Sequence, residues 1–159
     1  MSAHAHAGHD TGQSLNRLAL SATVHCLTGC AIGEVLGMVI GTAFGWSNGA
    51  TIVASIVLAF FFGYALTSVP LLRAGLSPRQ AAPLAFASDT LSITRMEIVD
   101  TLIIVLIPGA MAAGLGDPLF WGSLAVALLI AGAFAFPVNR WLLARGRGHA
   151  VVHRYHHAR

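Results

Sequence analysis

Twelve residues, His25-Cys-Leu-Thr-Gly-Cys-Ala-Ile-Gly-Glu34-Val-Leu36, set an imidazole, two thiols and a carboxylate inside a long apolar stretch. Between Leu18 and Trp46 the only ionisable side chains are His25, Cys26, Cys30 and Glu34. Such groups are costly at membrane depth and mark a site. Cys26, Cys30, Glu34 and Met38 recur every four residues, so on a helix they form one row with His25 beside it. Thiolate, thioether and imidazole make the ligand set that copper(I) favours, and without the thioether the set suits zinc. The expected metal ligands are therefore His25, Cys26, Cys30 and Glu34, with copper first and zinc or iron as alternatives. The plainer reading treats buried Cys as a small apolar residue and a single Met as a gap-filler. Glu34 resists that reading, because a carboxylate in a membrane needs a partner or a proton.

Candidate partners lie in Ser88-Asp-Thr-Leu-Ser-Ile-Thr-Arg-Met-Glu-Ile-Val-Asp100, which holds Asp89, Arg95, Glu97 and Asp100. With about 1.5 Å of rise per residue, counting from the same interface brings His25 to the depth of Glu97 and Asp100. A His–carboxylate contact between helices is the expected result. Met38, Glu97, Asp100 and Arg140 are taken as the polar partners inside the membrane. Arg140 is expected to neutralise Glu97 or Asp100, or to bind a lipid phosphate. Arg95 is expected to snorkel to the headgroups. The same residues admit a second chemistry, in which Glu34, Glu97, Asp100 and His25 line a path for protons or cations. A third reading makes the chain an accessory subunit that docks into a larger membrane complex.

Seven of the eight histidines lie in the terminal segments. Removal of the initiator Met would leave Ser-Ala-His4, whose amine, two amides and imidazole suit copper(II) or nickel(II). His149 and His153 are one helical turn apart, a usable metal-ligand spacing. His4, His149 and His153 are thus secondary metal candidates. A solvated tail with incidental metal affinity explains them equally well.

The elements that must position these groups follow from composition. Of 159 residues, 56% are hydrophobic and only 9% charged, against roughly a quarter charged in soluble domains. The chain is therefore read as all-α and polytopic, with four transmembrane helices, each needing about 20 apolar residues. The first span extends from about Leu18 to Gly45, with Trp46 at an interface, and the second from about Ala50 to Leu72. Ser77-Pro78 is a helix-start signal, and a short interfacial helix is expected between it and a third span over about Leu91–Leu115, kinked at Pro108-Gly109. Asp117-Pro118 closes the next turn, and the fourth span extends from Leu119 to about Leu143. Residues 1–16 are read as a polar His-containing mobile tail, 17–144 as the membrane domain and 145–159 as a basic His-rich tail.

All nine basic residues are Arg, giving a net charge of +3. Arg17, Arg73, Arg79 and the arginines after Ala144 fall on one side, which the positive-inside rule makes cytoplasmic, so both termini are expected there, in an inner membrane. The lipid bilayer is the expected partner, and nucleic acid is not. No nucleotide loop, dinucleotide fingerprint or nucleophile–base arrangement is present, which leans against an enzyme and against a nucleotide cofactor. Both cysteines are expected as thiols, since neighbours one turn apart make a poor internal disulfide. Gly29, Gly33, Gly37, Gly41 and Gly45 recur every four residues, a device for close helix approach. It is expected to serve packing against the third or fourth span, with a homo-oligomer through Gly29, Gly33, Gly37 and Gly41 as the alternative.

The blocks HCLTGCAIGEVLGMVIGTAFGW, SDTLSITRMEIVD, PGAMAAGLGDPLFWGS and FPVNRWLLARGRGHAVVH together resemble the integral-membrane family called domain of unknown function 4396. The resemblance covers about Leu15 to His156. It implies a multi-span membrane protein of unassigned activity and carries over no functional residue.

Overall fold

Apolar segments of this length become helices because only an α-helix satisfies its own backbone where water is scarce. A computed structural model describes residues 7–73 and 75–145, with residues 7–14, 84 and 88 described in backbone only. Helix α1 covers Ala7–Phe44, α2 Asn48–Arg73, α3 Pro78–Leu106 and α4 Pro118–Ala144, with one 3-10 turn at Ala110–Ala112. There is no strand among the described residues. Three stretches are long and apolar enough to cross a membrane: Leu15–Phe44, Asn48–Arg73 and Pro118–Ala144.

Helix α3 misses that standard because it carries Arg79, Asp89, Arg95, Glu97 and Asp100. Its acids point inward: Asp89, Glu97 and Asp100 are buried, while Phe86, Leu91, Ile98, Leu102 and Val105 are exposed. The helix is thus polar on its inner face and apolar on its outer one, the reverse of a surface helix in water.

Three boundaries differ from the sequence-based expectation. Helix α1 begins at Ala7, so Ala7 to Asn16 of the expected tail are helical. No separate interfacial helix precedes the third span; α3 is continuous from Pro78. It also ends at Leu106 instead of kinking and continuing to Leu115. Ile107 is extended at φ −81°, ψ 116°, as the ring of a following proline demands. Gly109 then takes φ +80° to open the 3-10 turn.

The helix ends follow their local signals. Ser77 N donates to Gln80 Oε1 at 3.1 Å and Pro78 occupies the first helical position of α3. Asp117 Oδ1 accepts from Leu119 N at 2.8 Å to start α4. Gly45, at φ +64°, closes α1 while Trp46 N donates to Gly41 O at 2.8 Å.

The four-residue glycine stripe meets α2, not the third or fourth helix as expected. Gly29 faces Gly63, Gly33 faces Ala59, Gly37 faces Ser55 and Gly41 faces Thr51, an antiparallel register in opposed steps of four. A Cβ at Gly29 would lie 2.9 Å from Gly63 N, and one at Gly33 would overlap the Ala59 backbone. The four glycines named for an oligomer are therefore occupied within the chain. Helix α4 lies antiparallel to α1 on another side, with Gly132 against Leu27 and Asn139 Nδ2 donating to Thr23 Oγ1 at 3.0 Å. Tyr64 Oη and Thr90 Oγ1, 2.9 Å apart, tie α2 to α3. One core cluster draws on all four helices: Cys26, Cys30, Ala59, Ile93, Met96, Ala131 and Ala135. The alternating directions gather Arg17, Arg73, Arg79 and Arg145 at one end of the bundle, all exposed.

Candidate functional site

Helix α1 presents Cys26, Cys30 and Glu34 toward α3, one turn apart, while its glycines turn about 100° away toward α2. Because α1 and α3 are parallel, the two rows keep step. The Cys26 thiol faces Ser92, the Cys30 thiol lies beside Glu97, and the Glu34 carboxyl lies beside Asp100. Glu97 and Asp100, three residues apart on α3, also lie within electrostatic reach of each other.

The three carboxyls are deeply enclosed: Glu34 is 9% exposed, Glu97 5% and Asp100 2%. One oxygen of each, Glu34 Oε1, Glu97 Oε1 and Asp100 Oδ1, has no hydrogen-bond partner. An unsatisfied buried oxygen costs about 1–3 kcal/mol, more if charged, so three together are not a packing accident. All three line a cavity of about 70 Å³, which continues past Met38, Ser55 and Thr101 to Met111 and Ser123. Its walls come from α1, α2, α3, the 3-10 turn and α4. A space of that size has room for several waters beside the carboxyls, although most of its wall is apolar.

Among the described residues no arginine lines this cavity. Arg140, expected first to bind a lipid phosphate and otherwise to neutralise Glu97 or Asp100, is exposed at the end of α4 and donates from Nε to Asn16 Oδ1 at 2.7 Å. Arg95 is exposed on the outer side of α3, as snorkelling requires. Arg145 stacks on Trp141, its guanidinium 4.1 Å from the ring centre.

The expected metal set does not come together. His25 Nε2 and Thr67 Oγ1 are 2.9 Å apart, so the imidazole is turned to α2 while the thiols face α3. Cys30 and Glu34, not His25, lie at the level of Glu97 and Asp100, so His25 sits shallower than its expected depth. Both cysteines are free thiols. Among the described residues no three His, Cys, Asp or Glu side chains are placed to hold one metal ion. Met38 lines the cavity with Glu34, as the four-residue row requires. His4, His149 and His153 lie outside the residues whose side chains are described.

Several contributors escaped the sequence reading. Ser55, Thr101, Ser123 and Met111 line the cavity from four different elements. Thr67 as the partner of His25 and the Thr23–Asn139 pair are equally long-range. Only Asn139 carried a signal, an amide within an otherwise apolar helix.

No curated protein and no solved structure matches the chain. The family model described as Domain of unknown function (DUF4396) matches residues 16–148, a span that includes every residue of the carboxyl and thiol rows. With so much of its length matched, the chain belongs to that family.

Proposed function

We propose that this protein is a four-span inner-membrane protein that moves protons across the bilayer, alone or coupled to a solute, through its Glu34–Asp100 pair. One observation carries the reading: three buried carboxyls, each with an oxygen lacking a partner, border one cavity, and among the described residues no basic side chain lines it. Two carboxyls side by side in a buried site need a proton or a cation between them, because like charges do not both persist there. Glu34 and Asp100 lie within electrostatic reach of each other across the α1–α3 seam, which suits a shared proton. Intramembrane acids facing a cavity are the usual material of proton relays.

The apolar outer face of α3 supports its counting as the fourth span, since only lipid-facing positions need be apolar. The arginines gathered at one end support cytoplasmic termini. Metal handling has less behind it, because His25 and the thiols look toward different helices.

The test is proton flux into liposomes carrying the purified protein and an enclosed pH dye, under an imposed potential. Wild-type protein raises the flux above empty liposomes, and Glu34→Gln or Asp100→Asn lowers it at least tenfold. Flux equal to that of empty liposomes, or unchanged in both variants, refutes the proposal.

A further inference from the structure

The cavity beside the carboxyls has two unlike ends. Its lining includes nothing on α1 before Glu34 and nothing on α3 before Glu97. The layer beyond them is the closed cluster that holds Ile93, Met96, Ala131 and Ala135, each at most 1% exposed. In the other direction the cavity passes Ser55 and Ser123 to Thr51 and Met111, both partly exposed, at the arginine-free end of the bundle. The carboxyls therefore stand at the closed end. Between the two ends the wall is mostly apolar, built from Ile52, Ile56, Ile104, Phe120 and Leu124. A few polar groups at the foot of an apolar pocket are the usual build of a small-molecule site.

Charge, donor number and size define the occupant. Glu34, Glu97 and Asp100 are each at least nine-tenths buried, and each keeps an oxygen without a partner. The occupant must therefore bring hydrogen-bond donors, and positive charge strengthens every bond it makes there. A hard metal ion fits poorly, because it asks for six or more oxygens around it. Among the described residues no three His, Cys, Asp or Glu side chains are placed to hold one, and the apolar wall adds no ligands. A primary ammonium group asks for less: three N–H donors on one side and a carbon on the other. The volume of about 70 Å³ is roughly half of the ~150 Å³ that admits a benzene ring, so only a few non-hydrogen atoms fit. Resting on the proton-transport reading above, we propose that the cavity binds a small primary alkylammonium ion, its nitrogen at Glu34, Glu97 and Asp100 and its carbons on the apolar wall, in exchange for a proton held there. The ion enters as RNH3+ and one proton leaves to water, so the charge of the site is unchanged and no bond to carbon is made or broken. The titratable groups that face the nitrogen are the three carboxyls, with the Cys30 thiol beside Glu97, while α2 and α4 offer only the hydroxyls of Thr51, Ser55 and Ser123.

The test counts the protons released when methylammonium or ethylammonium chloride is added to the full chain in detergent, in weakly buffered solution with a pH dye. Each is expected to release about one proton per chain. Release should saturate at about 1–10 mM, the strength that two or three non-hydrogen atoms allow. Sodium chloride and the bulky tetraethylammonium chloride, at equal concentration, should release less than about a fifth as much. Glu34→Gln abolishes the release. Ser123→Leu fills the apolar part of the cavity, leaves the acids in place and weakens the response to ethylammonium at least about tenfold. Thermal melting accompanies both variants, and if either fails to fold, the series of cations on the wild-type protein decides. Release by sodium equal to that by methylammonium overturns the ammonium assignment. So does an absence of release from wild-type protein whose liposome proton flux still falls in Glu34→Gln, an outcome that leaves the proton reading standing. Release that needs Glu34, from a protein that carries no proton flux in liposomes, upholds the ammonium site and overturns the transport reading.

Discussion

One helix shows two faces built on the same four-residue spacing and put to opposite uses. Along α1, Gly29, Gly33, Gly37 and Gly41 face α2, while Cys26, Cys30 and Glu34 face α3. On the glycine face the side chains are absent so that two backbones can touch, and dispersion between close atoms does the holding. On the other face side chains are present and their polar atoms are left partly unpaired. The first seam resists change in size and ignores chemistry; the second should resist change in chemistry and tolerate change in size. A functional site in a bilayer needs both, because partly satisfied carboxyls persist only if something else fixes the helices around them.

That contrast breaks first at Gly33. Gly33→Leu drives a side chain into the Ala59 backbone, which cannot rotate away, and the expected outcome is loss of a monodisperse, cooperatively melting protein in detergent. Glu34→Gln should do the converse. Its shape is kept, so the melting midpoint stays within a few degrees of wild type or rises, while proton flux falls at least tenfold; a collapse in stability would show that the carboxyl seam is structural after all. Asn139→Leu removes the donor to Thr23 Oγ1 at the arginine-bearing end. A net loss of about 1 kcal/mol is expected in chemical or thermal unfolding, the usual worth of one internal hydrogen bond, with flux unaffected. Gly132→Ala meets only the tip of Leu27, 2.9 Å away, a flexible group that can turn aside, so the cost should stay below about 1 kcal/mol. Gly49→Ala enters open space near the start of α2. It should be neutral or add up to about 1 kcal/mol through helix propensity, and a clear destabilisation there would mean a surface is covered that the single chain leaves open.

The sequence made the rows legible but not their partners. A four-residue repeat within an apolar run places Cys26, Cys30, Glu34 and Met38 on one face by helix geometry alone. What lies across from that face depends on how far each helix slides along its neighbour, and local periodicity is silent on that. The slide explains why His25 was matched to the wrong level of α3 and why the glycines were assigned to the wrong helix. The order of the apolar stretches was enough to bring Arg73 and Arg79 to the end that carries Arg17, whereas the bond from Arg140 to Asn16 joins the two ends of the chain and left no local signal. The end of α3 was available in principle, since Ile107 precedes a proline. The apolar residues beyond Pro108 concealed it.

The inside-out composition of α3 bears on how the molecule is built. For α3 to cross the bilayer as proposed, Asp89, Glu97 and Asp100 must enter with it, and each acid at the centre of an isolated helix costs about 2.5–3.5 kcal/mol in insertion. Within the apolar stretches Leu15–Phe44, Asn48–Arg73 and Pro118–Ala144 the sole acid is Glu34. Assembly is therefore expected to have a direction, with α1 and α2 locking first along their glycines and α3 following once thiols and a carboxyl are in place to receive its acids. A change that loosens the first pair should reach the cell as a failure to insert the third helix.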